Sequence, residues 1–358
     1  MNVTVIGAGN SGLAMAGHLA INGERVNLWN RSQSTISKII ETRVISISGV
    51  INQKASIYNA TTSIEDAISE ADLILVTTPA NAHRELARLL SPYLRKDSVV
   101  LLNPGRTFGA VEFQNTLVQE KCRVVPVIAE AQTIIYTCRK TEPDSVNILS
   151  LKKDVLLASI GSSNETVIGF LPSCIQSYFS PAKNMVETSF GNVGMILHCA
   201  PSILNSGWIE SPYHSFRYYY DGITPSIASL LESLDSERMG VASRIGCEIE
   251  STSNWLKRSY GVSGNNLYEC IHNNHSYKTI DAPSSLNHRY ITEDIPCGLV
   301  PLEAIGSKLG VKVKLCTLLI DIASALTNTD YRTIGRNLSN VGLSWASESD
   351  IKSILGVG

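Results

Sequence analysis

A β-branched run, Val3-Thr4-Val5-Ile6, passes directly into Gly7-Ala8-Gly9-Asn10-Ser11-Gly12 and then into the helical stretch Leu13-Ala14-Met15-Ala16-Gly17-His18-Leu19-Ala20. Strand, glycine turn and helix in that order leave few folds open. In a dinucleotide-binding unit the first glycine makes the tight turn, the second lets the backbone approach a pyrophosphate, and the third packs helix on strand; the helix N-terminus then holds the phosphates. A bare GxGxxG is weak, because glycine-rich turns also occur in unrelated α/β units. Here a second strand follows, Arg25-Val26-Asn27-Leu28-Trp29, so the context is met. The sequence therefore predicts an α/β fold with an N-terminal Rossmann dinucleotide-binding domain, and places Gly7, Gly9, Asn10, Ser11 and Gly12 at the cofactor.

The residue ending the second strand discriminates between dinucleotides. An NAD site usually has an acid there, accepting from the ribose 2′-hydroxyl. This chain has Asn30, followed by Arg31, Ser32, Gln33 and Ser34. A cation with neutral donors suits a 2′-phosphate, so Asn30, Arg31 and Ser32 read as an NADPH site, with NADH also possible. One charge-assisted hydrogen bond contributes about 1.5–3 kcal/mol, so Arg31 alone gives a preference of roughly 10- to 100-fold. The plainer alternative is a solvated loop arginine.

With 358 residues the chain is long enough for two cores. Its formal net charge of −2, with no basic block, argues against nucleic acid, and no apolar run approaches the roughly 18 residues of a spanning helix. The opening strand has no leader-like character, and the eight cysteines are scattered without a CxxC pair; a cytoplasmic protein with reduced thiols is expected. His272 and His275 flank Asn273-Asn274 without a third ligand, so they read as a surface loop and no metal is expected.

Along the chain, residues 39–60 alternate as a small meander would, and Ser63 is placed to cap a short helix. The apolar run Leu73-Ile74-Leu75-Val76 ends in Thr77-Thr78-Pro79, and Ser98–Leu102 ends in Asn103-Pro104-Gly105. Ligands bind outside the carboxyl ends of such strands, which puts Thr78, Pro79 and Asn103 in the cofactor cleft. Glu130 ends another strand, as either a cleft group or an ordinary exposed acid. Residues 147–157 and 165–170 read as irregular, closing the first domain at 185. From 186 to 358 the pattern turns helical, with apolar residues at three- and four-residue spacing in 224–234, 241–256 and 302–326. A helical domain of this kind caps the cofactor cleft and supplies the groups that bind and protonate a substrate.

Two stretches of the helical half carry candidate chemistry. His198 lies in an apolar run, as either a core histidine or an acid/base group; Pro201 is expected to kink or restart its helix, and Asn205 falls seven residues on, on the same face if the kink is mild. In Arg289-Tyr290-Ile291-Thr292-Glu293-Asp294, a regular helix would point Arg289 and Asp294 about 140° apart, while a turn between helices would bring them together. Arg289 suits a substrate carboxylate, and Asp294 suits holding the His198 imidazole. A surface loop with local salt bridges is the other reading. Tyr218, Tyr219 and Tyr220 are either pocket or core.

Several of these motifs together resemble the opine dehydrogenases over nearly the whole length. They are Val5–Gly12, Leu102-Asn103-Pro104-Gly105, Tyr136-Thr137-Cys138-Arg139, Tyr219-Tyr220-Asp221-Gly222-Ile223-Thr224-Pro225-Ser226, Asp235-Ser236-Glu237-Arg238, and Arg289 through Pro301. The resemblance implies an all-helical opine dehydrogenase-type C-terminal domain and reductive condensation of an amino acid with a 2-oxo acid such as pyruvate. It also implies that His198, Arg289 and Asp294 are catalytic and that the enzyme is a homodimer acting on small molecules; Arg289, with Asn205 on the His198 face and Tyr219 of the tyrosine run, is expected to bind substrate. Two positions depart from the family: Cys199 stands where proline commonly follows the histidine, and Asn30 replaces a frequent acid. A ketopantoate-like 2-oxo acid reductase and a non-catalytic NADPH sensor remain as alternatives.

Overall fold

Val3 through Ile6 are buried on both faces, as a central strand covered by helices must be. The computed structural model describes residues 1–357 and divides into two units, Met1–Thr188 and Ser189–Gly358.

In the first unit β1 (Asn2–Ile6) leads into α1 (Asn10–Ile21), β2 (Arg25–Trp29), α2 (Gln33–Thr42), β3 (Val44–Gly49), β4 (Gln53–Ser56) and β5 (Asn59–Thr61). Helix α3 (Ile64–Ile68) begins where Ser63 Oγ accepts from the Asp66 N–H, the expected cap. Then come β6 (Leu73–Val76), α4 (His83–Leu90), β7 (Val99–Leu102), α5 (Gly109–Gln119) and β8 (Val127–Ala131). A hairpin of β9 (Tyr136–Glu142) and β10 (Ser145–Leu151) precedes β11 (Val155–Ile160), α6 (Asn164–Phe170), α7 (Ser173–Gln176), β12 (Phe179–Pro181) and α8 (Met185–Phe190).

The main sheet runs β12-β11-β8-β7-β6-β1-β2-β5 and is parallel except between β8 and β11. From β1 the chain goes outward to β2 and β5, then returns to β6 on the other side. That reversal opens a crevice beyond the carboxyl ends of β1 and β6. A second sheet, β4-β3-β10-β9, joins two distant stretches, with β10 parallel to β3.

Two expectations fail in this unit. Ile39 and Ile40 belong to helix α2, where Ile36 and Ile39 are buried three residues apart. Residues 147–157 are not irregular but form the end of β10 and the start of β11, and 165–170 lie in helix α6. Strand β10 pairs with a segment far earlier in the chain, which local periodicity does not register.

The second unit is helical: α9 (Gly194–Leu204), α10 (Ser206–Ile209), α11 (Pro225–Ile245), α12 (Thr252–Tyr260), α13 (Leu267–His272), α14 (Arg289–Thr292), α15 (Val300–Lys308) and α16 (Lys314–Thr327) carry most of it. Extended pairing in this unit, among the described residues, is the single bridge Arg217–Asp281. The expected break between 234 and 241 does not exist, and the run to 256 is cut instead at Gly246, whose φ of 108° is a left-handed helix cap. Gly310, at φ 70°, likewise divides the expected 302–326 helix. Helix α9 continues through Pro201 rather than breaking there. Proline removes one hydrogen bond, but this helix is buried nearly all round, and packing outweighs that loss.

A buried clamp ties α11 to α12. Arg238, fully buried, donates to Asp235 Oδ1 at 2.8 Å through Nε and at 2.7 Å through Nη2, to the Glu250 carbonyl at 2.8 Å, and to the Phe190 carbonyl. Asp235 also accepts from Thr252 N–H at 2.7 Å and Thr252 Oγ1 at 2.8 Å.

Candidate active site

The three motif glycines are needed for three different reasons. Gly7 has φ 105°, which side chains other than glycine rarely adopt. A Cβ on Gly12 would lie 1.8 Å from the Gly7 carbonyl oxygen. At Gly9 a Cβ would meet nothing within 4 Å, so this face of the turn is the open one, as approach by a pyrophosphate requires. Across the crevice Thr77 Oγ1 donates to the Ile6 carbonyl at 2.9 Å and to the Gly7 carbonyl at 3.3 Å, tying the end of β6 to the turn. Buried polar atoms are normally satisfied. Here the Thr78 hydroxyl and both side-chain amide atoms of the wholly buried Asn103, at the ends of β6 and β7, have no partner among the described residues. The donor set and the open turn fit a dinucleotide.

Asn30 is committed to the turn itself. Its Oδ1 accepts from the Ala8 N–H at 3.1 Å and its Nδ2 donates to the Ser32 carbonyl at 3.0 Å. Arg31 and Ser32 are exposed, with the Ser32 and Ser34 hydroxyls 2.8 Å apart. Asn10 and Ser11 open helix α1, and Asn10 Oδ1 accepts from the Lys140 N–H at 2.9 Å. Pro79 begins the turn after β6 and is exposed. Glu130 is neither an exposed acid nor at the open face. It is buried, accepting from the Ala110 N–H at 2.9 Å and from Thr188 Oγ1 at 2.7 Å, so it pins the start of α5 to α8.

In the second unit His198 leaves α9 toward α14. Its Nδ1 lies 2.8 Å from Oδ2 of Asp294, which is fully buried. A carboxylate at that distance accepts the Nδ1 proton, leaving Nε2 as the basic nitrogen of the neutral ring. Tyr219 Oη lies 3.2 Å from Nε2. Burial pushes the Tyr219 phenol well above its usual pKa, so it stays protonated and donates to Nε2. Tyr290 stacks on the imidazole at 4.0 Å between ring centroids and 15° between planes. Tyr218 anchors the same turn of helix, donating to the His198 carbonyl at 2.6 Å and pairing with Ser202 Oγ at 2.8 Å.

The two ends of the 289–294 stretch have different partners. Arg289 Nη2 is 3.0 Å from Glu293 Oε2, whereas Asp294 turns back to His198. The Arg289 side chain is 49% exposed against 2% for Glu293, so about half of the arginine is open to solvent. Asn205 spends both amide protons on backbone, at 2.8 Å to the Pro201 carbonyl and 2.9 Å to the Gly222 carbonyl, and so fastens the loop that carries Tyr219. Tyr220 donates to the His272 carbonyl at 2.7 Å, and the His272 ring nitrogens each lie 3.0 Å from a carbonyl, of Tyr268 and of Tyr220. Sequence reasoning missed Glu293 and Tyr290; the i, i+4 spacing of Arg289 and Glu293 was the available signal for the first.

Residues 181–327 match the family model described as NAD/NADP octopine/nopaline dehydrogenase, alpha-helical domain, and residues 2–125 match the NAD-dependent glycerol-3-phosphate dehydrogenase N-terminus. The opine dehydrogenase of Arthrobacter sp. (strain 1C) is 34% identical over 355 residues, which cover 98% of this chain and 97% of that protein. The chain belongs to the opine dehydrogenase family. The protein ocs of Agrobacterium tumefaciens (strain Ach5) is 26% identical, covering 98% of this chain and 97% of its own. An octopine dehydrogenase solved with NADH and agmatine shares the fold at TM-score 0.81 and 20% identity, over 99% of this chain and 98% of that one. A ketopantoate reductase of Ralstonia eutropha JMP134 shares it less closely, at TM-score 0.61 and 17% identity over 92% of this chain and 99% of that one. Members of the opine dehydrogenase family are NAD(P)-dependent oxidoreductases, so the cofactor of this one is a nicotinamide dinucleotide.

Proposed function

We propose that this opine dehydrogenase joins the amine of an amino acid to a 2-oxo acid such as pyruvate and reduces the resulting imine to a secondary-amine dicarboxylate, with NADPH preferred over NADH. The observation that carries this reading is the chain Asp294–His198–Tyr219, in which one histidine nitrogen is held and the other is poised for exchange. Arg289 binds a substrate carboxylate through its half-exposed guanidinium side chain, with Glu293 paired to it at 3.0 Å. His198 Nε2 takes a proton from the substrate ammonium, freeing the amine lone pair to attack the 2-oxo carbon, and returns a proton to the carbinolamine hydroxyl so that it leaves as water; the buried Asp294 carboxylate stabilises the imidazolium formed between these steps. Tyr219 lines the reacting end of the substrate. Hydride for the imine carbon would come from a nicotinamide seated beside this group.

In the first unit a dinucleotide would be held by Gly7, Gly9, Asn10, Ser11 and Gly12 at the turn, by Asn30, Arg31 and Ser32 at the ribose, and by Thr78, Pro79 and Asn103 toward the nicotinamide. Domain limits of 1–185 and 186–358, a cytoplasmic location and a homodimer complete the reading; no helix among the described residues is long and apolar enough to cross a membrane.

The test is oxidation of reduced nicotinamide in the presence of pyruvate, scanned against single amino acids and amines beside a control without amine. Amine-dependent oxidation is expected. Oxidation in the control would replace this reading with a plain 2-oxo acid reductase, and tight NADPH binding with no turnover on any substrate pair would replace it with a sensor.

Two variants probe the assigned roles. Asn30→Asp combined with Arg31→Ser is expected to shift coenzyme preference roughly 10- to 100-fold toward NADH. The aspartate still accepts from the Ala8 N–H but loses the bond to Ser32; an unchanged ratio of kcat/KM for the two coenzymes would remove these residues from coenzyme choice. Arg289→Leu is expected to raise the KM of the carboxylate substrate by about 10-fold or more through loss of a charge-assisted pair. A KM within twofold of the parent's would show that another group takes the carboxylate.

A further inference from the structure

Strand β9 lies along α1 with the face that carries Tyr136, Cys138 and Lys140, alternate residues of one strand. Their contacts step toward the start of the helix. Tyr136 Oη meets His18 Nδ1 at 2.9 Å and Met15 Sδ at 3.5 Å, and Cys138 faces the Ser11 side chain. Lys140 comes last. Its N–H donates to Asn10 Oδ1 at 2.9 Å and its Nζ donates to the Ala8 carbonyl at 3.3 Å. The register of β9 on α1 thus delivers an ammonium to the glycine turn, beside the first residue of the helix.

This ammonium has no anion. Among the described residues no carboxylate lies within ion-pair distance of Lys140, and Asp144, whose field reaches it, is paired to Lys38 at 2.9 Å. The Ala8 carbonyl uses one of its three donors. Partial burial lowers the Lys140 pKa, so the position costs the cation some of its solvation. On the other side of the turn Asn30 binds the Ala8 N–H, so the two side chains hold the peptide groups on either side of the Ala8 Cα.

We propose that Lys140 is a phosphate-binding residue for the dinucleotide, supplying from the second sheet a charge that the GxGxxG turn lacks. The ligand chemistry is a phosphate oxyanion, and the dinucleotide offers two: the pyrophosphate over the turn and the 2′-phosphate of NADPH. The proposal rests on the dinucleotide seating at Gly7–Gly12 and is independent of any role for His198 or Arg289.

The experiment is calorimetric titration of the full-length protein with NADPH and with NADH, without substrate, for the parent, Lys140→Gln and Lys140→Arg. Lys140→Gln is expected to weaken binding by about 10- to 100-fold, the loss of one charge-assisted contact, while Lys140→Arg retains affinity within a few-fold. A loss shared by NADPH and NADH assigns the contact to the pyrophosphate, and one confined to NADPH assigns it to the 2′-phosphate. Unchanged affinity of Lys140→Gln for both dinucleotides overturns the proposal. So does an equal loss in the Gln and Arg variants, which would mean that the shape of the lysine and not its charge matters. Equal thermal melting of the ligand-free proteins separates binding from folding, and parent NADPH affinity too weak to measure would count against dinucleotide seating itself.

Discussion

His198→Ala is expected to lower kcat for amine-dependent turnover by about 100-fold or more, because proton transfer by a positioned side chain contributes about that much. Substrate KM values should change far less, since Arg289 and the dinucleotide site are untouched. The substitution also removes the donor facing Asp294 at 2.8 Å, and that carboxylate is fully buried. A second variant, His198→Asn, separates the effects: its amide can still donate toward Asp294, restoring stability, but it has no basic nitrogen to take up a proton. The expected pattern is therefore near-parent melting with His198→Asn and near-absent turnover with both. Parent-like turnover in either variant would take His198 out of the chemistry and leave it as a core residue stacked on Tyr290.

Asp235→Ala should be the most damaging single change to the helical unit. It removes the carboxylate between the fully buried Arg238 guanidinium and the first residue of α12, leaving an uncompensated buried charge and an unpaired Thr252 N–H. Breaking one side of a buried pair costs about 3–5 kcal/mol, which for a unit of this size lowers the melting temperature by roughly 6–20 °C. Removing both charges, as in Asp235→Leu with Arg238→Met, is expected to recover most of that loss, since hydrophobic replacement of a whole buried pair is often neutral. A double variant no more stable than Asp235→Ala would mean that the backbone contacts of Arg238 to Phe190 and Glu250 carry the clamp instead.

The parts of the site legible in the sequence were those whose chemistry is local. The glycine turn states its own backbone requirement: Gly7 needs a positive φ, and Gly12 has no room for a Cβ. The strand-terminal Thr78 and Asn103 follow from the rule that open α/β sheets bind ligands at their carboxyl ends, and their buried, unpartnered polar atoms agree with it. What the sequence concealed was long-range or compensatory. Lys140 looks like one more exposed lysine until β9 is laid against α1. Pro201 obeys its intrinsic cost, yet the helix persists because its surroundings outweigh that cost. Glu130 stands at a strand end like a cleft residue, and only the fold reveals that it is turned inward to Ala110 and Thr188. Arg289 illustrates the same gap at short range: the spacing to Asp294 was weighed, while Glu293, at helical spacing, is the side chain that holds it.

The pairing of β10 with β3, in which Ser145 meets Ser46, bears on how the protein emerges from the ribosome. The glycine turn and its flanking strands are synthesised about 100 residues before the hairpin that brings Lys140 to them. At about 5–20 residues per second, that is an interval of roughly 5–20 s during which β3 and β4 exist without β10. The nascent chain therefore has a turn shaped for phosphate before it has the cation beside it, and β3 presents an open strand edge through the same interval. Tight binding of the dinucleotide should accordingly begin only once the hairpin has closed, making coenzyme capture a late event in the biogenesis of the N-terminal unit.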